Sequence, residues 1–422
     1  MRLPKPAAYR VYLGLSAAQF LLFSMLSTVS GVYAVRAAHL NPLQLVLVGT
    51  TLEAIAFVLQ VPTGVIADVY GRRLSVLIGL FLTGIGFLIW GAFARFETIL
   101  LAQLFYGAGY TCISGAEEAW IAGEIGDANA GHAFLRGTQA AQLGGIVGIA
   151  LSVTLASVHL SLPLLTAGVL FLVLGAAMVV LMPERGFRPT PKGERTSWQQ
   201  WSGTLRSGLH AVRGRPVLLT ILAITAILGA SSEGFDRLKD AHVLLNVGLP
   251  ALGRFDPVVW FGVIAGGGMV FSIGAAEILK RRLDTTSHSA VARTLLGVNA
   301  LLAIMVVAFG LSGNFALALA TWWSVSVLRR VNTPLVTAWL NQHVEPGVRA
   351  TLFSINNQAD ALGQIGGGPL LGAAAAGISI PAGLVVAGLF ILPALPLYGR
   401  SLRQGTAEEG SGQLAVGSRE GE

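Results

Sequence analysis

The sequence is poor in charge and in cysteine for its length. Of its 422 residues, 12% are charged and a single one, Cys112, is a cysteine. Soluble domains carry about 25% charged residues, so the chain lacks the polar surface that two or three soluble domains would need. One cysteine excludes an internal disulfide framework and any multi-cysteine metal site. These shortages argue against a soluble enzyme.

Motifs for metal, nucleotide and catalytic chemistry are missing as well. The seven histidines form neither an HExxH motif nor a closely spaced ligand cluster. No G-x-x-x-x-G-K-[ST] segment is present, which argues against ATP-driven transport by this chain. The glycine clusters have the G-x-x-x-G spacing of helices that pack closely in lipid. We therefore expect no enzymatic activity, no metal and no cofactor.

Long apolar runs are what the sequence has in abundance. Hydrophobic residues make up 54% of the chain, and its mean hydropathy is +0.69. About 20 apolar residues cross the hydrocarbon core of a membrane as a helix. Twelve such runs, segments 1 to 12, span about residues 11–35, 42–66, 74–94, 97–122, 133–158, 161–182, 216–237, 256–279, 289–311, 314–341, 350–376 and 380–399. The sequence therefore predicts an all-α membrane protein with twelve transmembrane helices.

Basic residues are concentrated in the connections on one side of the predicted membrane. With the N-terminus in the cytoplasm, 21 of the 28 Lys and Arg residues are cytoplasmic, five are outside and two lie within a crossing. Cytoplasmic loops of membrane proteins carry such an excess. The first segment is too long for a signal-peptide core. We therefore expect a multi-pass protein of the inner (plasma) membrane with both termini in the cytoplasm, and no nucleic-acid partner.

One long polar stretch divides the twelve segments into two groups of six. Residues 1–182 form the predicted N-terminal bundle, and residues 216–400 form the C-terminal one. Between them, residues 183–215 form a predicted cytoplasmic linker, in which residues 196–212 have the apolar spacing of an amphipathic helix on a membrane surface. The tail, residues 401–422, has the polar composition of a disordered segment.

The loop after segment 2 carries a family signature. Residues 64–73 read G-V-I-A-D-V-Y-G-R-R, which resembles the G-x-x-A-D-x-x-G-R-R/K signature of the major facilitator superfamily. The signature lies between segments 2 and 3 of a six-plus-six array, and the resemblance covers about residues 9–400. It implies two six-helix bundles around a cavity that alternately faces each side of the membrane, with substrate sites near the midplane.

The signature residues form a predicted conformational gate. Gly64 and Gly71 permit close approach and a tight turn. The resemblance implies that Asp68 meets the start of segment 11, where a carboxylate stabilises the positive end of a helix. Arg72 and Arg73 are expected to bind cytoplasmic carboxylates. Alternatively, the two arginines act as topology determinants only.

Two other motifs depart from the family's pattern, and four stretches point to a subgroup. Segment 4 has Gln103 where the family often has an Arg implicated in proton coupling, and segment 5 has Ile146 where antiporters often have Pro. Residues 61–64, 114–120, 232–238 and 349–351 resemble proteins described as tetracycline- or macrolide-type efflux transporters. The resemblance therefore implies drug efflux, without the usual arginine for coupling.

Segment 4 has a polar face that we expect to line the substrate cavity. Its members recur at helical spacing, and they are Gln103, Tyr106, Gly107, Tyr110, Ser114 and Glu117. Glu118 flanks this face. Either glutamate could carry the coupling proton, because burial disfavours the charged form of a carboxylate. The alternative is a structural hydrogen bond or an ion pair with Arg136.

A third candidate for proton coupling is Glu53, near the middle of segment 2. It shares a helix face with Gln60, and no basic residue lies nearby in the sequence. A carboxylate at this depth is expected to be protonated or paired. We therefore predict that it faces the cavity or binds a proton, with a structural hydrogen bond as the alternative.

Segments 7, 10 and 11 also contain ionisable residues. On segment 7, Glu233, Asp236, Arg237 and Asp240 share helical spacing, and their mutual neutralisation near the outer surface is expected. Arg330 of segment 10 and Asp360 of segment 11 lie at similar depths, about 18 and 15 Å from the cytoplasmic ends of their helices. An ion pair between Asp360 and Arg330, or its neighbour Arg329, is therefore predicted.

Two further cavity residues are predicted because each shares a helix face with Arg330 or Asp360. Trp323 lies on the face of Arg330, and Asn357 lies on that of Asp360. We predict that these four residues line the substrate cavity in the second half of the chain. A purely structural ion pair is the alternative.

These observations favour a secondary active transporter. We expect proton-coupled efflux of amphipathic organic compounds or drugs by alternating access, with a small-molecule substrate, protons and the lipid bilayer as partners, and a monomeric protein. The alternative is an importer or uniporter of a small nutrient or metabolite with the same fold. A sensor or scaffold would be expected to have a large soluble domain or an interaction motif, and the sequence shows neither.

Overall fold

The computed structural model describes residues 6–187, 216–251, 253, 256–282, 288–342 and 349–402, and every regular element among them is a helix. The predicted amphipathic helix at residues 196–212 lies outside the described residues, as does the predicted disordered tail beyond residue 402. Nothing in the described part is a strand. The predicted all-α class is therefore confirmed there.

Seven helices make up the first half of the chain. They are α1 (Pro6–Arg36), α2 (Pro42–Tyr70), α3 (Arg72–Ala92), α4 (Phe96–Ile113), α5 (Ala116–Ile125), α6 (Asp127–Ala156) and α7 (Leu162–Leu181). The short helix α5 follows α4 after two residues, so the pair forms one crossing, Phe96–Ile125. The first half therefore crosses the membrane six times.

The second half also provides six crossings. Its helices are α8 (Pro216–His242), α9 (Val259–Arg282), α10 (His288–Gly310), α11 (Phe315–Gln342), α12 (Arg349–Gly377) and α13 (Ile380–Leu389). A π-helical turn, Val243–Val247, extends α8, and helix resumes after α13 to complete a crossing that ends at Leu402. Together the two halves give the twelve crossings that the sequence predicts.

Most of these crossings contain a long apolar stretch. Within the described residues, nine helices are long and apolar enough to span a membrane. The other three are α9, whose apolar part is Val259–Phe271, and the two helices that carry Arg329, Arg330 and Asp360. Polar groups in a crossing are costly in lipid, so they mark functional surfaces. Two of the least apolar helices, α11 and α12, therefore carry part of the candidate site.

The described residues form two compact units. Unit 1 contains residues 6–187 and the described residues of 249–266, and unit 2 contains residues 216–248 and the described residues of 267–402. In unit 1, α1 packs along α6, α3 packs between α4 and α7, and α2 packs against α4. Close packing of α1 and α6 depends on small residues, because a Cβ atom added at Gly144 or Gly148 would overlap the backbone carbonyl of Ala17 or Leu21.

Unit 2 has its own hydrophobic core. Helix α8 packs along α12, while α10 contacts α11 and α13. The largest buried side chains of this core include Trp339 and Tyr398, whose rings stack with centroids 5.6 Å apart. Each unit is thus a helical bundle with a packed interior. Each also contains a cavity lined by its own helices.

Candidate functional site

The fourth crossing is interrupted beside a cavity of unit 1. Helix α4 ends at Ile113, α5 begins at Ala116, and Gly115 between them has a φ of +77°, a conformation that favours glycine. The Glu118 carboxylate accepts a hydrogen bond from the Gly115 N–H at 3.0 Å, which caps α5. The prediction of one continuous helix is therefore wrong here, because the positive φ ends the regular hydrogen bonding of α4.

The break places two carboxylates at a cavity of about 450 Å³. The cavity is lined by α1, α3, α4, α5, α6 and α7. Its polar lining residues are Tyr12, Ser16, Gln19, Thr83, Tyr106, Tyr110, Ser114, Glu117, Glu118 and Thr138. Five residues that the sequence places at the site come together here, and they are Tyr106, Tyr110, Ser114, Glu117 and Glu118.

Glu117 is held by two neutral donors. Its carboxylate accepts hydrogen bonds from the Ser16 hydroxyl at 3.2 Å and from the Gln19 amide at 2.6 Å. Among the residues that the structure describes, it has no Lys or Arg partner. The alternative ion pair with Arg136 is not formed, because the Arg136 guanidinium donates to Gln139 at 3.1 Å on the exposed side of α6.

The two remaining polar candidates of unit 1 lie away from the lining. Gln103 is 1% exposed, and its side-chain amide nitrogen has no hydrogen-bond partner among the described residues. Glu53 is half-buried on α2 and interacts electrostatically with the Tyr110 hydroxyl. Glu53 is thus electrostatically coupled to the cavity without lining it. Gln103 is buried between helices.

A second cavity, of about 370 Å³, lies in unit 2. It is lined by α8, α10, α11, α12 and the last crossing. Its polar lining residues are Thr225, Ser231, Ser232, Asp236, Arg329, Asn332, Thr333, Thr337, Asn356, Asn357, Asp360 and Gln364. Amides and hydroxyls therefore dominate its polar wall, in contrast to the carboxylates of the unit 1 cavity.

The ion pair of this cavity differs from the one that the sequence predicts. Arg329 donates to the Asp236 carboxylate at 2.9 Å, and Lys239 lies 3.3 Å from the same oxygen. Asp360 instead accepts from the Gln364 amide at 2.8 Å. Arg329 also attracts the Asp360 carboxylate electrostatically, without forming an ion pair with it. The predicted pair of Arg330 with Asp360 is therefore wrong.

Helical geometry explains the difference. Successive residues of a helix point about 100° apart, so only one of two adjacent arginines can face the cavity. That residue is Arg329, whereas Arg330 is exposed and lies outside the cavity lining. Trp323 is also absent from the lining, because it packs against Gly267 and Phe271 of α9, with the two aromatic ring centroids 4.9 Å apart.

The charges of segment 7 are only partly neutralised within their own helix. Glu233 is buried and pairs with Arg237 at 3.1 Å, as the spacing predicts. Asp236 faces the cavity and pairs with Arg329 of α11. The expected mutual neutralisation within segment 7 is therefore incomplete, because helical spacing does not show which neighbouring helix each face meets. Asp236, Asn332 and Asn356 are cavity residues that the sequence analysis missed.

The two arginines of the signature loop form hydrogen bonds with neighbouring helices. Gly71 has a φ of +130° at the turn between α2 and α3. The Arg72 guanidinium donates to the Ala119 carbonyl at 2.6 Å, and the Arg73 side chain donates to the Val179 carbonyl. Both arginines therefore make defined contacts within unit 1. Asp68 is half-buried at the end of α2, and a Cβ atom at Gly64 would meet open space.

Two acidic residues that the sequence analysis missed complete these contacts. Glu184 accepts from the Arg73 backbone N–H at 2.8 Å, at the start of α3. Glu124 is buried and accepts from the backbone N–H groups of Arg185 and Gly186 at 2.5 and 2.6 Å. No sequence motif indicates these bonds, because their donors are backbone groups brought close by the fold.

Twelve crossings, in two halves that each contain a polar cavity, define a multi-pass membrane transporter. The model of the Major Facilitator Superfamily matches residues 13–367. The chain belongs to this superfamily, as the signature of residues 64–73 indicates.

Individual relatives agree with this assignment. An uncharacterised MFS-type transporter of Bacillus subtilis (strain 168), YxaM, is 24% identical over 360 residues, which cover 84% of this chain and 86% of the relative. Among solved structures, the nucleoside transporter NupG is 15% identical, with a TM-score of 0.72 over 95% of this chain and 99% of that one. A bacterial homologue of the human lysosomal transporter Spinster is 14% identical, with a TM-score of 0.74 over 96% and 98%. The structural likenesses show the fold alone.

Proposed function

We propose that the protein is a proton-coupled secondary transporter that exports amphipathic organic compounds by alternating access. It would reside in the plasma membrane as a monomer with both termini in the cytoplasm. The observation that carries the proposal is Glu117, a carboxylate at a cavity with the neutral partners Ser16 and Gln19. The aromatic lining of the same cavity suits an amphipathic substrate.

The surroundings of Glu117 suit a residue that gains and loses a proton. A carboxylate removed from water is costly to keep charged without a cationic partner. The Ser16 and Gln19 donors compensate part of this cost when Glu117 is ionised. They do not add a fixed positive charge, so the protonated form remains accessible. Glu117 can therefore exist in either state as the cavity changes its access to water.

The three proposed proton-coupling residues differ in their surroundings. Glu118 caps α5 through the Gly115 N–H, so its charged form has a structural role. Glu53 acts on the Tyr110 hydroxyl from outside the lining. We therefore assign the proton primarily to Glu117, with Glu53 as an electrostatic modulator. The residues of the signature loop, including Asp68, would form the conformational gate.

Flux measurements in proteoliposomes test the proposal. Purified protein is reconstituted, a pH gradient is imposed, and uptake of a chemically broad panel of compounds is compared with that of protein-free liposomes. The proposal expects accumulation of an amphipathic compound that depends on the gradient and disappears when nigericin collapses it. Equal flux with and without the gradient would exclude proton coupling.

The second candidate is an importer or uniporter of a small polar metabolite. The amide-rich cavity of unit 2 favours it, because Asn332, Asn356 and Gln364 can recognise hydroxyl and carbonyl groups of a hydrophilic solute. A structural neighbour, NupG, is a nucleoside transporter. This candidate would be supported by downhill flux of a polar compound that does not respond to the pH gradient.

A further inference from the structure

The unit 1 cavity contains negative charge without a basic residue in its lining. Glu117 and Glu118 both face it, and none of its described lining residues is Lys, Arg or His. Because Glu117 accepts from neutral donors only, its negative charge in the ionised state has no counter-charge among the described residues. A positively charged ligand would supply one.

Part of the cavity lining is an aromatic wall. The ring centroids of Phe20 and Phe23 are 6.3 Å apart, and those of Phe23 and Tyr106 are 6.4 Å apart. Phe87 is fully buried outside the lining and supports two lining rings, with centroid distances of 5.3 Å to both Tyr106 and Phe171. Aromatic faces attract cations within about 6 Å, and they also bind apolar groups. The wall therefore suits a ligand that is both apolar and cationic.

A buried hydroxyl of the lining also lacks a partner. Thr83 is 3% exposed and lines the cavity, and its hydroxyl has no hydrogen-bond partner among the described residues. A buried polar group normally has such a partner. The volume of about 450 Å³ lies within the range of sites for drug-sized molecules. Space, negative charge and an unpaired hydroxyl thus occur in the same cavity.

We propose that the unit 1 cavity binds a monovalent, amphipathic organic cation. Its charged centre would lie against Glu117, and its apolar groups would contact the wall formed by Phe20, Phe23 and Tyr106. An anion of the same shape would be rejected by two carboxylates, and a neutral molecule would leave the charge of Glu117 uncompensated. This inference rests on the proposed function for its biological meaning, but it concerns equilibrium binding, which needs no gradient.

Binding of two isosteric ions of opposite charge tests it. Purified full-length protein in detergent is titrated with tetraphenylphosphonium, with tetraphenylborate, and with a benzyl-dimethyl-alkylammonium as a second cation. The variants are Glu117→Gln and Phe23→Leu. Their matched controls are Glu97→Gln and Phe93→Leu, at exposed positions where the third and fourth crossings meet. Size-exclusion profiles and thermal melting verify that each variant is folded.

The expected result is saturable binding of a cation and no saturable binding of tetraphenylborate. Glu117→Gln should weaken cation binding at least about tenfold, and Phe23→Leu about two- to fivefold, while both controls bind as the wild type does. Equal binding of the two isosteric ions would overturn the inference. So would wild-type affinity in both cavity variants, or no saturable binding of either cation by folded protein.

The outcomes separate this inference from the proposed function. Cation binding that persists in a protein without gradient-driven flux would contradict proton coupling alone. Gradient-driven flux of neutral or anionic compounds by a protein that binds neither cation would contradict the cation site alone.

Discussion

Replacing Arg329 should destabilise unit 2, whereas replacing the adjacent Arg330 should not. Arg329 donates to Asp236 at 2.9 Å, and the two side chains are 33% and 36% exposed. Removing one partner of a fully buried pair costs about 3–5 kcal/mol, and an exposed pair is worth about 0–1 kcal/mol. Because the exposure is intermediate and Lys239 also lies 3.3 Å from Asp236, we expect Arg329→Gln to cost about 1–2 kcal/mol.

Arg330→Gln is the matched control, since the same change is made at an exposed position one residue away. It should change the free energy of unfolding by less than about 0.5 kcal/mol. The assay is denaturant unfolding of purified protein in detergent micelles, followed by tryptophan fluorescence.

A double-mutant cycle isolates the ion pair itself. The costs of Asp236→Asn and Arg329→Gln should not add, because both remove the same interaction, and a coupling energy of about 1 kcal/mol is expected. Two results would refute this reasoning. One is an equal loss of stability for Arg329→Gln and Arg330→Gln, and the other is strict additivity of the two substitutions in the cycle.

Three further predictions concern packing, orientation and the gate. Gly148→Ala should lower the free energy of unfolding, because the added methyl group would overlap α1. Gly131→Ala on the same helix places its methyl group in open space and should be neutral or stabilising by up to about 1 kcal/mol. Equal effects of the two substitutions in the same unfolding assay would contradict this prediction. In a background with Cys112→Ala, a membrane-impermeant thiol reagent applied to intact cells should label Val158→Cys but not Ala128→Cys, and the reverse result would invert the proposed orientation. Asp68→Asn should leave the protein in the membrane but slow transport severalfold, because the proposed gate relies on a carboxylate that stabilises the N-terminus of another helix, which contributes about 0.3–2 kcal/mol. Wild-type flux in proteoliposomes would exclude a gating role.

The fold could be predicted because its main signals are local. A crossing needs about 20 apolar residues wherever it lies in the chain, so the apolar runs of the sequence predict the twelve crossings, including the three whose described parts are less apolar. The G-x-x-A-D-x-x-G-R-R pattern at residues 64–73 then identifies the superfamily. The break at Gly115 was missed because a Ser-Gly pair is also common inside continuous helices in membranes.

The site was predicted in part because a polar face can be recognised without knowing its neighbours. Tyr106, Tyr110 and Glu117 share such a face, and all three line the unit 1 cavity. The choice between Arg329 and Arg330 requires the rotation of α11, which depends on its packing against other helices. Glu124 could not be assigned at all, because it binds backbone groups of residues that are 61 and 62 positions away.

The most direct test of the central claim is transport by Glu117→Gln. The variant is reconstituted beside the wild type and the control Glu97→Gln, and each is assayed with whichever compound of the panel the wild type accumulates. Glutamine preserves the size of the side chain and its ability to hydrogen-bond, but it cannot bind and release a proton. We expect Glu117→Gln to lose accumulation driven by the pH gradient while retaining downhill exchange, and Glu97→Gln to retain both. Accumulation at the wild-type level in Glu117→Gln would contradict the assignment of the proton to this residue.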